Sequence, residues 1–325
     1  MVTATRFRRK FEVIDTAAVA ESPLPAAPVT PSEDDRMPTN LVLQYLRAQR
    51  DTIRWTEAGA RRGDAEAVHD MRVAIRRLRS TLRTFRGLWD AERSEWLRAE
   101  LKWLADQLGP VRDGQVMSER LAAAVEAEPD RLVRGPVADR LREGLGDRIA
   151  EGRSGLRGAL DGERYRVLLG RLNALVVTTD GGSSAWLRKR TRKAVHRADR
   201  MLADAVRDRE TAPGPEADAH LHDARKAYKR ARYAVEVTRP AAGRPARRLA
   251  KRLTALQDVL GTHQDSVITG SVLLEAADAA AARGEETFTY GLLHARQADA
   301  GERALHALPA ARRKAGKSSA RAWLK

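Results

Sequence analysis

The chain of 325 residues contains no cysteine. That absence excludes disulfides, thiolate nucleophiles and sulfur-held zinc, and it fits a reducing compartment. No apolar run approaches the ~20 residues that a bilayer-spanning helix needs. The N-terminal "MVTATRFRRKFEVIDTAAVAESPLP" has only the short "TAAVA" as an apolar stretch, so no signal peptide is expected. Alternation of the strand type is scarce. "TDGGSS" lacks the Lys-Ser/Thr pair of a phosphate-cradling loop, and no histidines show the His-Glu-x₂-His spacing of a zinc protease. No Ser/His/Asp or paired-carboxylate framework is recognisable either. What remains is a binder: no catalytic residue, metal ligand or cofactor is expected, and the expected compartment is the cytoplasm.

What the chain does have is basic charge. Lys and Arg total 60 against 44 Asp and Glu, a formal net charge of +16, on an ordinary 42% hydrophobic content. Such a balance favours polyanions: nucleic acid, anionic lipid or phosphate polymers. Arg greatly outnumbers Lys, and its planar five-donor fork suits phosphate oxygens better than an ammonium does.

Residues 1–38 are rich in Pro, Ala, Ser and Thr and read as a flexible leader. From Thr39 onward the periodicity is helical. It predicts helices over 39–61, 64–89, 92–109, 113–128, 131–159, 163–177, 184–208, 217–238, 245–261, 264–283 and 286–308. Their stops are "RRGD", "LGP", "EPD", "DGE", "TDGGSS", "APGPE", "RPAAGRP", "LGT" and "RGE". Residues 309–325 read as a frayed basic tail.

An internal repeat organises the rest. "HDMRVAIRRLRSTL" at 69–82 matches "HDARKAYKRARYAV" at 222–235, and "LGPVRDGQV" at 108–116 answers "LGTHQDSVI" at 260–268. The fold class expected is all-α, a duplicated unit spanning about 39–177 and 184–308, two bundles related by pseudo-twofold symmetry. On a helix of 100° per residue, His69, Arg72, Arg76, Arg79 and Arg83 fall within ~80° of arc along ~21 Å. Met71, Ile75, Leu78, Leu82 and Phe85 fall on the opposite side. The second copy repeats this rail with His222, Arg225, Lys229 and Arg232. Further basic faces come from Arg188, Lys189, Arg192, Lys193 and His196, and from Arg248 and Arg252.

A single arginine-rich face is ordinary solvated surface. Here the register His-x₂-Arg-x₃-(Arg/Lys)-x₂-Arg occurs twice with few acids between, which points to a trough that a polyanion would fill. Asp70 and Asp223 sit in first turns, where a carboxylate complements the helix dipole. Asp113 and Asp265, after the "LG" stops, are expected to cap the following helix or to orient a rail arginine. The His-Asp pairs could suggest a metal-dependent phosphohydrolase, but the guanidinium groups beside them would repel a divalent cation.

The pieces "VHDMRVAIRRLRSTLRTF", "LKWLADQLGPVRDGQV", "LHDARKAYKRARYAVE" and "LTALQDVLGTHQDSV" resemble the CHAD family, helical domains named for their histidines. The resemblance covers about residues 39–308. It implies two four-helix bundles around a basic central channel, binding of inorganic polyphosphate and association with polyphosphate granules and their proteins. By position it carries the binding role to His69, Arg72, Arg76, Arg79, Arg83, His222, Arg225, Lys229 and Arg232. Members are often fused to a CYTH triphosphatase domain, whose first strand carries Glu-x-Glu-x-Lys. "TRFRRKFEVID" has Phe7 and Arg8 where acids belong, so no triphosphatase activity is carried over. The alternatives are RNA or single-stranded nucleic acid, which would want aromatic platforms beside the rails, or a scaffold for acidic partner proteins.

Overall fold

The computed structural model describes residues 38–175 and 183–325, and every regular element among them is a helix. The leader and the helix end expected at 176–177 lie outside the described residues. In chain order the helices are α1 (Pro38–Arg62), α2 (Ala65–Thr84), α3 (Ala91–Glu126), α4 (Val137–Asp161), α5 (Glu163–Asn173) and α6 (Ser184–Thr211). They continue with α7 (Pro215–Ala282), α8 (Phe288–His306), α9 (Leu308–Gly316) and α10 (Ser318–Arg321).

Most of the expected stops hold. Asp64 caps α2, its Oδ1 accepting from the Ala67 amide at 2.8 Å, and Asp90 caps α3 in the same way through Arg93. The two "LG" stops do not hold. α3 runs straight through Gly109–Pro110, and α7 through Gly261. The reason is packing: Leu97, Leu101, Leu104, Leu108 and Val111 are all fully buried at one helical spacing across the supposed break. Leu249, Leu253, Leu256 and Leu260 do the same in α7. A continuous buried stripe outweighs one glycine and one missing backbone donor. Asp113 and Asp265 therefore sit inside helices and cap nothing. The real break in α7 is at Gly243, whose φ of 61° and ψ of −137° take it out of the helix. The chain turns there, and the two arms lie side by side, with Gln257 Nε2 donating to the Tyr228 carbonyl at 3.0 Å.

Three hydrophobic cores result. One joins α1–α5. A second joins α6, α7, α9 and α10, and it buries Leu308, Ala315, Ala320 and Leu324. The C-terminal segment expected to fray is thus packed, and Arg321 also pairs with Asp199 on α6. A third core also joins the two halves of the chain: Leu121, Val125, Leu141 and Leu145 meet Leu273, Tyr290 and Leu293.

The halves meet a second time where α2 crosses α7. Glu236 lies there, its side chain 10% exposed, and accepts from Tyr45 at 2.8 Å and from Arg232 at 2.7 Å. Arg77 of α2 lies 3.5 Å from the same carboxylate. Burial, followed by the Glu236 charge, pushes the Tyr45 hydroxyl well above its ordinary pKa. One carboxylate therefore compensates two buried guanidinium groups, one from each half. Glu236→Gln removes that compensation while keeping the shape, and stranding a buried charge typically costs about 3–5 kcal/mol. Urea denaturation should show a loss of that order; a loss below about 1 kcal/mol would show that the seam is held by apolar packing alone.

Candidate functional site

Four helical segments close a ring around the cationic residues, and each join is a specific contact. α2 meets α3 where Arg72 forms a two-pronged pair with Asp113. α3 meets the second arm of α7 where Arg120 pairs with Asp265 at 2.8 Å. The two arms of α7 meet where the Arg225 guanidinium crosses Gly261, so close that a Cβ there would sit 3.0 Å from Nη2. The first arm of α7 returns to α2 where Arg76 Nε donates to the Tyr233 hydroxyl at 2.8 Å. The "LG" glycine of the second repeat thus clears a path for a rail arginine. Asp113 does what one of its two expected roles required: it orients Arg72.

Within this ring the rails of both repeats come together. His69, Arg72, Arg76 and Arg79 are half-buried on α2, and His222, Arg225 and Lys229 are half-buried on the first arm of α7. Burial pushes the Arg225 guanidinium below the ordinary arginine pKa. Asp265 opposes that shift, and nearby Arg76 adds to it. Arg112 of α3 is lowered in the same way, by burial first and then through Arg72, against Glu119 and Asp113. His222 is lowered by burial and by Lys226, Arg225 and Lys229, with only Asp223 opposing. The Nδ1 of His222, the Nε of Arg225 and the Nη1 of Arg252 are buried with no hydrogen-bond partner among the described residues. Each of these unsatisfied nitrogens adds to the desolvation cost of packing basic side chains here.

Other expected site residues lie elsewhere. Arg232 is 7% exposed and committed to Glu236 and Gln257, so it braces the seam and leaves the trough. Its burial follows from Glu236, one helical turn on, at the position that Arg83 occupies in the first repeat. Arg83 is exposed at the C-terminal end of α2. Arg188, Lys189, Lys193 and His196 are exposed and Arg192 half-buried along α6, away from its buried stripe of Leu187, Thr191, Val195 and Ala198. Arg248 is exposed and Arg252 half-buried on the second arm of α7. Residues that the rail pattern alone did not select are Arg112, Arg120 and Tyr233, whose places depend on how the helices meet.

Among the described residues no group of three or more His, Cys, Asp or Glu is arranged to hold a metal ion, and no helix is long and apolar enough to cross a membrane. The geometry therefore offers convergent cationic donors, and the comparisons agree with the fold it rests on. The family model described as the CHAD domain matches residues 44–274. The uncharacterized protein Rv2226 of Mycobacterium tuberculosis strain H37Rv is 38% identical over 266 residues, covering 79% of this chain and 50% of the relative. Its counterpart MT2285 from strain CDC 1551 matches to the same extent. The chain spans about half the length of these curated relatives. Among solved structures, PptA from Streptomyces chartreusis superposes with a TM-score of 0.67 at 24% identity, over 84% of this chain and 98% of that one. The CHAD domain from the plant Ricinus communis gives 0.60 at 26% identity, over 88% and 98%. With its fold, its repeated rails and the matched span in agreement, the chain belongs to the CHAD domain family.

Proposed function

We propose that the chain binds inorganic polyphosphate in the ring formed by α2, α3 and the two arms of α7, and that it performs no catalysis there. The observation that carries this reading is the meeting of Arg76 and Arg225. These cations come from different repeats, are partly desolvated, and each disfavours the charge of the other. A folded chain holds such an arrangement at a cost in self-repulsion, and a polyanion converts the cost into binding. Successive phosphates of one chain can accept charge-assisted hydrogen bonds from Arg72, Arg76, Arg112, Arg225 and Lys229 in turn. The ligand chemistry is bare phosphate because the aromatic ring at the site is not open to a base. Tyr233 is 1% exposed, and its ring carries the guanidinium groups of Arg77 at 5.8 Å and Arg232 at 4.7 Å. On this reading the chain would be found at polyphosphate granules.

Arg76→Glu combined with Lys229→Glu reverses one charge on each rail. Polyphosphate affinity should fall by ~100-fold or more, as expected when paired charges in a desolvated site are lost. Helicity by circular dichroism should be retained. Unchanged affinity in the folded double variant would remove the rails from the account.

The histidines give a pH signature. In the unbound chain His222 is held below the ordinary histidine value, by burial first and then by its three cationic neighbours. A bound polyanion raises its pKa, so binding takes up a proton. Affinity should therefore be flat at high pH, rise as pH falls through the bound-state pKa, and level off below the lower, free-state pKa. The slope should reach at most about tenfold per pH unit for one histidine. His222→Gln should flatten the profile over pH 5–8, and a profile unchanged by that substitution would exclude His222 from the contact.

A further inference from the structure

We infer that the chain carries a second phosphate-binding station, built by Arg83, Arg197 and Arg230 where α2, α6 and the first arm of α7 meet. Helix register places the three groups together. α2 crosses α7 where Arg76 bonds to Tyr233 and Arg77 faces Glu236, and Arg83 and Arg230 each lie six residues, or ~9 Å, along their helices from that second contact. α6 and the first arm of α7 run antiparallel: Thr191 bonds to the Ala234 carbonyl, and Tyr228 donates to Asp199 at 2.8 Å, which sets Arg197 level with residues near 230. α6 is pinned to the end of α2 by Arg190, whose Nε donates to the Thr84 carbonyl at 2.9 Å, and by the Phe85–Trp186 ring contact. The electrostatics agree with that register. The Arg230 guanidinium is pushed below the ordinary arginine value by burial, then by Arg83 and Arg197, with Asp223 opposing. Arg83 is lowered in turn by burial and by Arg98, Arg197 and Arg86, with Glu95 opposing.

The repeat explains why this junction is cationic. An offset of 153 residues aligns Arg77 with Arg230 and Arg83 with Glu236. In one half the junction is closed by a carboxylate, Glu236, holding Arg77, Arg232 and Tyr45. In the other half the equivalent position is Arg83, a third cation that disfavours the charge of Arg230 and whose own charge Arg197 disfavours. No described carboxylate is hydrogen-bonded or ion-paired to any of the three within 4.0 Å. An external anion supplies what Glu236 supplies on the other side. The rail of α2 leads there from the ring, since Arg83 lies two turns, or ~10 Å, beyond Arg76. This station rests on the polyphosphate reading for its natural ligand: a chain seated in the ring would run on to it, and the second contact would add avidity that short chains lack.

The experiment compares the wild-type chain with Arg197→Glu and with Arg207→Glu, an equal charge change at an exposed position farther along α6. The probes are long-chain polyphosphate and tripolyphosphate, titrated at near-physiological salt. Arg197→Glu should weaken long-chain binding about tenfold and Arg207→Glu by no more than about twofold. Because Arg197 is exposed, its reversal leaves the cores intact; Arg230→Gln, which removes charge without adding any, should show the same ranking. Equal losses from the two reversals would overturn the station, since net charge alone would then account for them. If the wild-type chain bound no long-chain polyphosphate while Arg197→Glu alone abolished tripolyphosphate binding, the station would stand and the proposed function would fall.

Discussion

Guanidinium groups repel one another, and the architecture is organised around holding several of them together. Arg112 lies beside Arg72, and three of the converging arginines are held from behind: Arg72 by Asp113, Arg76 by the Tyr233 hydroxyl, and Arg225 in its close passage over Gly261. None of these supports would hold without stiff helices. Stiffness comes from the leucine stripes of α3 and α7, which run unbroken through sequences that locally favour a stop. The hydrophobic cores thus offset the repulsion in the ring.

The two halves use one pattern for different ends. The first-repeat rail runs along α2 to exposed Arg83. The second is cut short because Glu236 draws Arg232 into the interior. That exchange of one cationic position for one anionic position gives the chain its central seam. A desolvated charge needs its partner in place, so the crossing of α2 and α7 is specified more sharply than apolar packing alone would require.

Much of this was legible in the sequence. Period 3.6 predicts the helices, the matching stretches at 69–82 and 222–235 predict the two segments that meet at Arg76 and Tyr233, and the helical wheel predicts the half-buried face of His69, Arg72, Arg76 and Arg79 on α2. The errors have identifiable causes. Local propensity at "LGP" and "LGT" favours a break, but the leucine stripe on either side prevails over it. The helical wheel directs Arg232 to the trough, since a wheel shows direction about one helix and nothing of the neighbour it meets. Glu236, at the register position of Arg83, was the available signal. The basic residues of the C-terminal segment suggest fraying, whereas Leu308, Ala315, Ala320 and Leu324 bury a spaced apolar face. Arg197 and Arg230 could be found only from the register between three helices, which a single-helix projection does not contain.

The central claim is that the ring is fitted to a phosphate chain and is more than a generic basic surface. A competition titration tests it most directly: labelled long-chain polyphosphate against single-stranded DNA and RNA of matched charge, at low and at near-physiological salt. Purely electrostatic binding falls steeply with salt for every polyanion, so the comparison at higher salt decides. The account predicts that polyphosphate is retained there while both nucleic acids are lost. Equal competition, with all three released together as salt rises, would contradict it.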